Sequence, residues 1–130
     1  MRLFAGLLLT VFFATATSAA SFGLDDPAAR AKVKRECLAL ETIVTSRRGN
    51  SYTQSGAVRQ RLSRCFGRAG DADSMVRYFK SALSRWAEEG KLKSFLAYKY
   101  EELADLFENL NRLRDAWDAR RYADDLRSAR

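Results

Sequence analysis

The sequence feature that most constrains the fold is residues 59–83, which read RQRLSRCFGRAGDADSMVRYFKSAL. Apolar side chains recur there every three or four residues, the spacing of one face of an α-helix. Between the two runs stand Gly70, a residue that commonly ends a helix, and Asp71, a residue that commonly caps the next one. The recurring residues are Leu62, Cys65 and Phe66 before this turn, and Met75, Phe79, Ala82 and Leu83 after it. The stretch therefore predicts a helical hairpin to which the rest of the chain adds helices.

The same spacing continues on both sides of the hairpin. It predicts helices over residues 28–46, 54–69 and 92–109, one between Asp71 and Gly90, and a last one after Asn111. A single proline and few β-branched residues argue against a sheet. We therefore predict an all-α fold, a stack of antiparallel hairpins with about five helices in one domain. The apolar residues that we expect inside the last three helices are Met75, Phe79, Trp86, Phe95, Leu96, Tyr100, Leu103, Phe107, Leu110, Leu113, Ala116, Trp117 and Ala123.

The N-terminus has the pattern of a secretory signal peptide. Arg2 precedes an apolar run, and the small residues Ser18 and Ala20 stand three and one positions before a cut at Ser21. We expect removal of residues 1–20 and a secreted or periplasmic protein, which the intact mass of the exported chain would test. The alternative is a retained membrane anchor, although the run is short for a spanning helix, which needs about 20 apolar residues.

The chain has two cysteines, Cys37 and Cys65. They are too far apart in sequence for a CxxC redox or zinc motif, and an exported pair of this kind is expected to form a disulfide. An antiparallel pairing of the first two predicted helices places both at the same height on facing apolar stripes. The sequence therefore predicts a Cys37–Cys65 bridge.

Composition argues against catalysis. Histidine, the commonest general base, is absent. The sequence has no Gly-rich phosphate loop and no nucleophile elbow. Adjacent acidic pairs such as Glu101-Glu102 point to different faces of a helix. We expect no enzyme activity, no cofactor and no metal.

The hairpins resemble tetratricopeptide (TPR) repeats, which pair two antiparallel helices in each unit of 34 residues. The resemblance covers residues 54–130 as two units, with residues 21–53 as an N-terminal capping helix and loop. It rests on Leu62, Phe66, Gly70-Asp71, Phe79 and Ala82-Leu83 in the first unit, and on Tyr100, Leu103-Ala104, Phe107, Leu113, Ala116 and Ala123 in the second. An unrelated five-helix bundle stays open as the alternative.

The resemblance implies a concave groove that is lined by the first helix of each unit and binds a protein or peptide partner. The residues in these positions are Gln60, Arg61, Arg64 and Arg68 in the first unit, and Tyr98, Glu101, Asp105, Glu108 and Asn109 in the second. One wall is then cationic and the other anionic. The alternative is that Arg64 and Arg68 pair with Asp105 and Glu108, without a partner. The family's carboxylate-clamp residues are not reproduced, so that specificity does not carry over.

Charge suggests a second class of function. The net charge is +7, and residues 30–70 carry ten Lys and Arg against two Glu, whereas residues 71–130 are balanced at twelve against twelve. The alternative basic patch consists of Arg30, Lys32, Lys34, Arg35, Arg47 and Arg48. It would bind an anionic membrane or polysaccharide surface. Nucleic acid is not expected, because no aromatic residues are interleaved with these charges.

Overall fold

The structure is a computed structural model that describes residues 22–129. The predicted signal peptide lies outside the described residues. Within residues 22–129 the chain forms five helices and no strand. They are α1 (Pro27–Thr45), α2 (Gly56–Arg68), α3 (Ala72–Glu88), α4 (Lys93–Asn109) and α5 (Leu113–Ser128). The predicted all-α fold is confirmed.

Three short turns of the same type connect the consecutive helices from α2 to α5. Gly70, Gly90 and Asn111 follow α2, α3 and α4 with φ values of 78°, 79° and 58°, in the left-handed region. In each turn the next backbone N–H donates to a carbonyl in the last turn of the helix, as Asp71 does to Phe66 at 2.9 Å. The chain therefore reverses within a few residues, and consecutive helices pack as antiparallel neighbours.

Packing is most extensive within two hairpins, α2 with α3 and α4 with α5. Large aromatic side chains fill the space between the helices. Examples are Phe66, Phe79, Trp86 and Phe107, each no more than 3% exposed. Trp86 lies directly against Gly56, where an added Cβ would come within 2.4 Å of the indole. The lack of a side chain at the start of α2 therefore lets the large ring pack there.

Helix α1 lies beside the first hairpin and is joined to it covalently. The Cys37–Cys65 disulfide links α1 to α2, with 5.6 Å between the two Cα atoms, and this confirms the predicted bridge. Polar contacts join α1 to α3: Lys34 pairs with Asp71 at 2.6 Å, and the Tyr78 hydroxyl donates to Glu41 at 2.5 Å. The position of α1 is therefore fixed by two neighbouring helices.

The prediction for the last helix was partly wrong. Leu113 and Trp117 were expected inside, but they are 62% and 58% exposed. The buried face of α5 consists of Ala116, Ala119 and Ala123 instead. Small side chains let α5 approach α4 closely, whereas Leu113 and Trp117, four residues apart, lie to one side of that contact. The size of an apolar residue was therefore a poor guide to its burial in this helix.

Candidate functional site

Three arginines form a row along the exposed face of α2. Arg61, Arg64 and Arg68 are spaced three and four residues apart, so they occupy an arc of about 60°. All three are exposed, while Leu62 and Phe66 of the same helix are buried. Within residues 22–129, neither an ion pair nor a side-chain hydrogen bond engages their guanidinium groups. We call these three residues the arginine row.

Three acidic side chains of α4, Glu101, Asp105 and Glu108, are paired with α5 and not with the arginine row. Arg120 binds Asp105 at 3.0 Å and Glu108 at 2.5 Å, and Arg127 binds Glu101 at 2.9 Å. The alternative prediction, in which Arg64 and Arg68 pair with Asp105 and Glu108, was wrong. The reason for this difference is geometric. The turn at Asn111 brings α5 back along α4 and aligns the arginines of α5 with the carboxylates of α4.

These pairs also change the electrostatics of the predicted anionic wall. The hydrogen bond from Arg127 lowers the pKa of Glu101, and the hydrogen bond from Arg120 lowers the pKa of Glu108. Both carboxylates are therefore ionised and already neutralised by the chain's own cations. The predicted groove with one cationic and one anionic wall becomes a groove in which only the arginine row carries unpaired charge among the described residues.

A pocket of about 250 Å³ lies where α2, α3 and α4 meet. Its lining residues are Gln60, Ser63, Arg64, Met75, Phe79, Glu102, Asp105 and Leu106. Gln60 was predicted to face a partner, but it is only 7% exposed. Its amide group donates to Glu102 at 3.1 Å and accepts from Lys99 at 3.2 Å. Gln60 therefore connects α2 to α4 in the floor of the groove.

A second, shallower depression of about 540 Å³ adjoins this pocket. The two share Arg64 and Met75, so they are adjacent, and we call them together the arginine groove. The other residues of the depression are Phe22, Gly23, Leu24, Gly67 and Arg68. Sequence reasoning missed residues 22–24, because they have no periodicity and lie before the first predicted helix.

The remaining predicted groove residues lie apart from this surface. Tyr98 is 58% exposed, and Asn109 is exposed at the end of α4. Neither lines the pocket or the depression. The Lys99 ammonium lies 5.7 Å from the ring centroid of Tyr98. Of the nine predicted positions, Gln60, Arg64 and Asp105 line the pocket, and Arg68 lines the depression.

The alternative basic patch is divided in the structure. Arg30 donates to the Phe22 and Leu24 carbonyls, and Lys34 pairs with Asp71, so both serve contacts within the chain. Its other members, Lys32, Arg35, Arg47 and Arg48, are exposed. Lys32 and Arg35 lie in the first half of α1, whereas Arg47 and Arg48 follow its end. At 1.5 Å per residue the two pairs are about 20 Å apart, so they do not form one compact site.

The fold and the groove define a class of protein, a small all-helical stack with a disulfide between its first two helices and a cationic surface. Searches of family models, curated proteins and solved structures found no match for the chain. Within the described part of the chain, no helix is both long and apolar enough to cross a membrane. The same residues hold no group of three or more His, Cys, Asp or Glu side chains arranged for a metal ion.

Proposed function

We propose that the protein is an exported, non-catalytic interaction module whose arginine groove binds an acidic segment of a partner protein. One observation carries the proposal. The arginine row is exposed and unpaired among the described residues, while Glu101, Asp105 and Glu108 of α4 are bound to α5 and Glu102 is bound to Lys99. Hydrogen bonds to charged groups contribute about 1.5–3 kcal/mol each, so the free guanidinium groups of Arg64 and Arg68, which line the groove, suffice for recognition of carboxylates.

The arrangement of the helices supports this role. In a TPR-like stack the first helices of successive hairpins are neighbours and line the concave side, and we assign these positions to α2 and α4 as part of the proposal. The hydrogen bond between Gln60 and Glu102 joins these two helices directly. On this interpretation α1 is the N-terminal cap of the stack, and the disulfide fastens the cap to α2.

Two features support export. Residues 1–20 have the pattern of a signal peptide. The Cys37–Cys65 bridge is typical of an oxidising compartment, such as the periplasm or the cell exterior. The proposed partner is therefore a protein of the cell envelope or of the secreted fraction.

The test measures binding of a fluorescein-labelled acidic peptide, Glu-Asp-Glu-Leu-Asp-Glu-Glu, to the oxidised protein by fluorescence anisotropy. The variant Arg64→Ala/Arg68→Ala should bind at least tenfold more weakly, because the lost charge-assisted hydrogen bonds are worth about 1.5–3 kcal/mol each. Its folding should change little, since exposed charges contribute about 0–1 kcal/mol to stability.

The matched control is Lys32→Ala/Arg35→Ala, which removes the same charge from the exposed face of α1. We expect at most a threefold loss for this control, because its charges lie outside the groove and are screened by solvent. Equal losses in the two variants, together with a steep fall of affinity with salt, would overturn the groove proposal. That result would favour the second class, a basic protein that adheres to anionic membrane or polysaccharide surfaces.

A further inference from the structure

The first described residues form a strap across the end of α2. Residues 22–24, which we call the N-terminal strap, are held by backbone hydrogen bonds. The Leu24 N–H donates to the Arg68 carbonyl at 2.9 Å, and the Arg30 guanidinium donates to the carbonyls of Phe22, at 2.6 Å, and Leu24. The strap is therefore tied both to α2 and to the first turn of α1.

Two glycines let the strap lie against the α2–α3 turn. Gly23 has a φ of +83°, in the left-handed region that favours glycine. A Cβ at this position would come within 2.8 Å of the Gly70 Cα and backbone nitrogen, closer than such atoms approach. The Arg30 guanidinium lies on the other side of Gly70, about 3.2 Å from where its Cβ would stand. The close contact of Gly23 with Gly70 and the hydrogen bonds from Arg30 thus hold the strap against the α2–α3 turn.

The strap gives the arginine groove an apolar wall. Phe22 and Leu24 are partly buried and pack on the core, yet together with Gly23 they also line the depression beside Arg64 and Arg68. Gly67 lets Met75 pack closely in the lining of the depression, because a Cβ at Gly67 would come within 2.9 Å of the Met75 sulfur. The depression therefore combines an apolar surface with two unpaired guanidinium groups.

We propose that this strap-walled depression is a subsite for one large apolar side chain, flanked by carboxylates, in the acidic segment that the groove binds. The inference rests on the proposed function and specifies its ligand. Charge complementarity selects acidic residues for Arg64 and Arg68. The apolar wall selects a leucine-sized or larger side chain between them, because an apolar pocket gains affinity with each buried methylene. Arg30 is the positioning residue, since it acts on the ligand through the strap.

The test compares two fluorescein-labelled peptides of equal charge, Glu-Asp-Glu-Leu-Asp-Glu-Glu and the same peptide with serine in place of leucine. Oxidised wild-type protein should bind the leucine peptide about tenfold more tightly. The variant Gly23→Ala should reduce this ratio to near one, because the added methyl group displaces the strap from Gly70. Arg30→Met, which removes the donors to the strap, should have the same effect. Hydrogen exchange of the Leu24 amide reports whether the strap has moved.

The matched control is Gly90→Ala. Gly90 has nearly the same left-handed conformation, with a φ of +79°, but a Cβ there meets nothing within 4 Å. The Gly90→Ala variant introduces the same backbone strain as Gly23→Ala without touching the strap. Its preference for the leucine peptide over the serine peptide should therefore stay about tenfold.

The outcomes separate the subsite from the groove. A ratio near one in wild-type protein, with both peptides bound, would overturn the subsite and leave the groove intact. A tenfold ratio that persists after the strap is displaced would also overturn it, as would tighter binding of the leucine peptide by Gly23→Ala. If neither peptide binds wild-type protein, the proposed function itself fails.

Discussion

Removal of the Cys37–Cys65 disulfide should cost about 3–4 kcal/mol of unfolding free energy. The bond closes a loop with a sequence separation of 28 residues. In the chain-entropy model a loop of this length gives about 3.6 kcal/mol at 25 °C. Cys37 is completely buried, so both cysteines should be replaced by alanine and not by serine, whose hydroxyl would need a hydrogen-bond partner.

The unfolding free energy that the disulfide contributes is large relative to that of the other contacts that hold α1. Among its side chains only Val33, Cys37 and Val44 are buried. A buried valine contributes about 1.5–3 kcal/mol before the entropy of ordering the helix is subtracted, and partly exposed ion pairs such as Lys34–Asp71 contribute about 0–1 kcal/mol. The disulfide is therefore expected to be the largest single term that holds α1 on the hairpins.

Urea denaturation, followed by circular dichroism, would measure this cost. Oxidised wild-type protein is compared with reduced wild-type protein, which keeps the same sulfur atoms, and with Cys37→Ala/Cys65→Ala. Hydrogen exchange should show that α1 loses protection first, because α2 to α5 keep their own core. A difference below about 1 kcal/mol between oxidised and reduced protein would refute the loop-closure reasoning.

Two further predictions concern single contacts. Burial opposes ionisation of Asp71, but hydrogen bonds from Lys34 and Ser74 outweigh it and lower the pKa of Asp71 below 3.8. The stability from this contact is present above pH 3.8 and is lost as the pH falls through the lowered pKa, so Lys34→Met should destabilise by up to about 1 kcal/mol at pH 7 and by less at pH 3 in urea unfolding. If Lys34→Met destabilised the protein as much at pH 3 as at pH 7, or more, the expected pH dependence would be wrong. Trp86 is 3% exposed and Trp117 is 58% exposed, so iodide should quench wild-type fluorescence more strongly than that of Trp117→Phe. Equal quenching of the wild-type protein and Trp117→Phe would indicate that Trp117 is buried.

The fold could be predicted because its signals are local. A glycine and an aspartate at residues 70–71 mark a turn whatever surrounds them, and the structure has Gly70 in the left-handed conformation with Asp71 accepting from the Ser74 N–H at 3.1 Å. The disulfide followed from the same local information, since the predicted lengths of the first two helices place Cys37 and Cys65 at the same height in an antiparallel pair. Burial in α5 was less predictable, because only the contact with α4 decides that Ala116 is inside and Trp117 outside.

The candidate site was harder to predict because its partners are distant in sequence. The exposure of Arg61, Arg64 and Arg68 followed from helical spacing. Helical spacing does not reveal whether a carboxylate on α4 turns to α2 or to α5, and Asp105 turns to Arg120 on α5 at 3.0 Å. The strap carries no periodic signal at all, since it is held by backbone carbonyls and by the close approach of two glycines.

The distribution of charge favours the arginine groove over the surface patch as the binding site. Arg64 and Arg68 are four residues apart on one helix, a distance of about 6 Å along its axis. That is within the Debye length of about 8 Å at physiological salt, so the two arginines act on one ligand segment as a unit. Lys32 lies in the first half of α1 and Arg48 follows its end, about 24 Å away along the axis, so each charge is screened from the other. Among the ten Lys and Arg of residues 30–70, Arg64 and Arg68 line the groove, so the proposed acidic segment would contact both guanidinium groups at once.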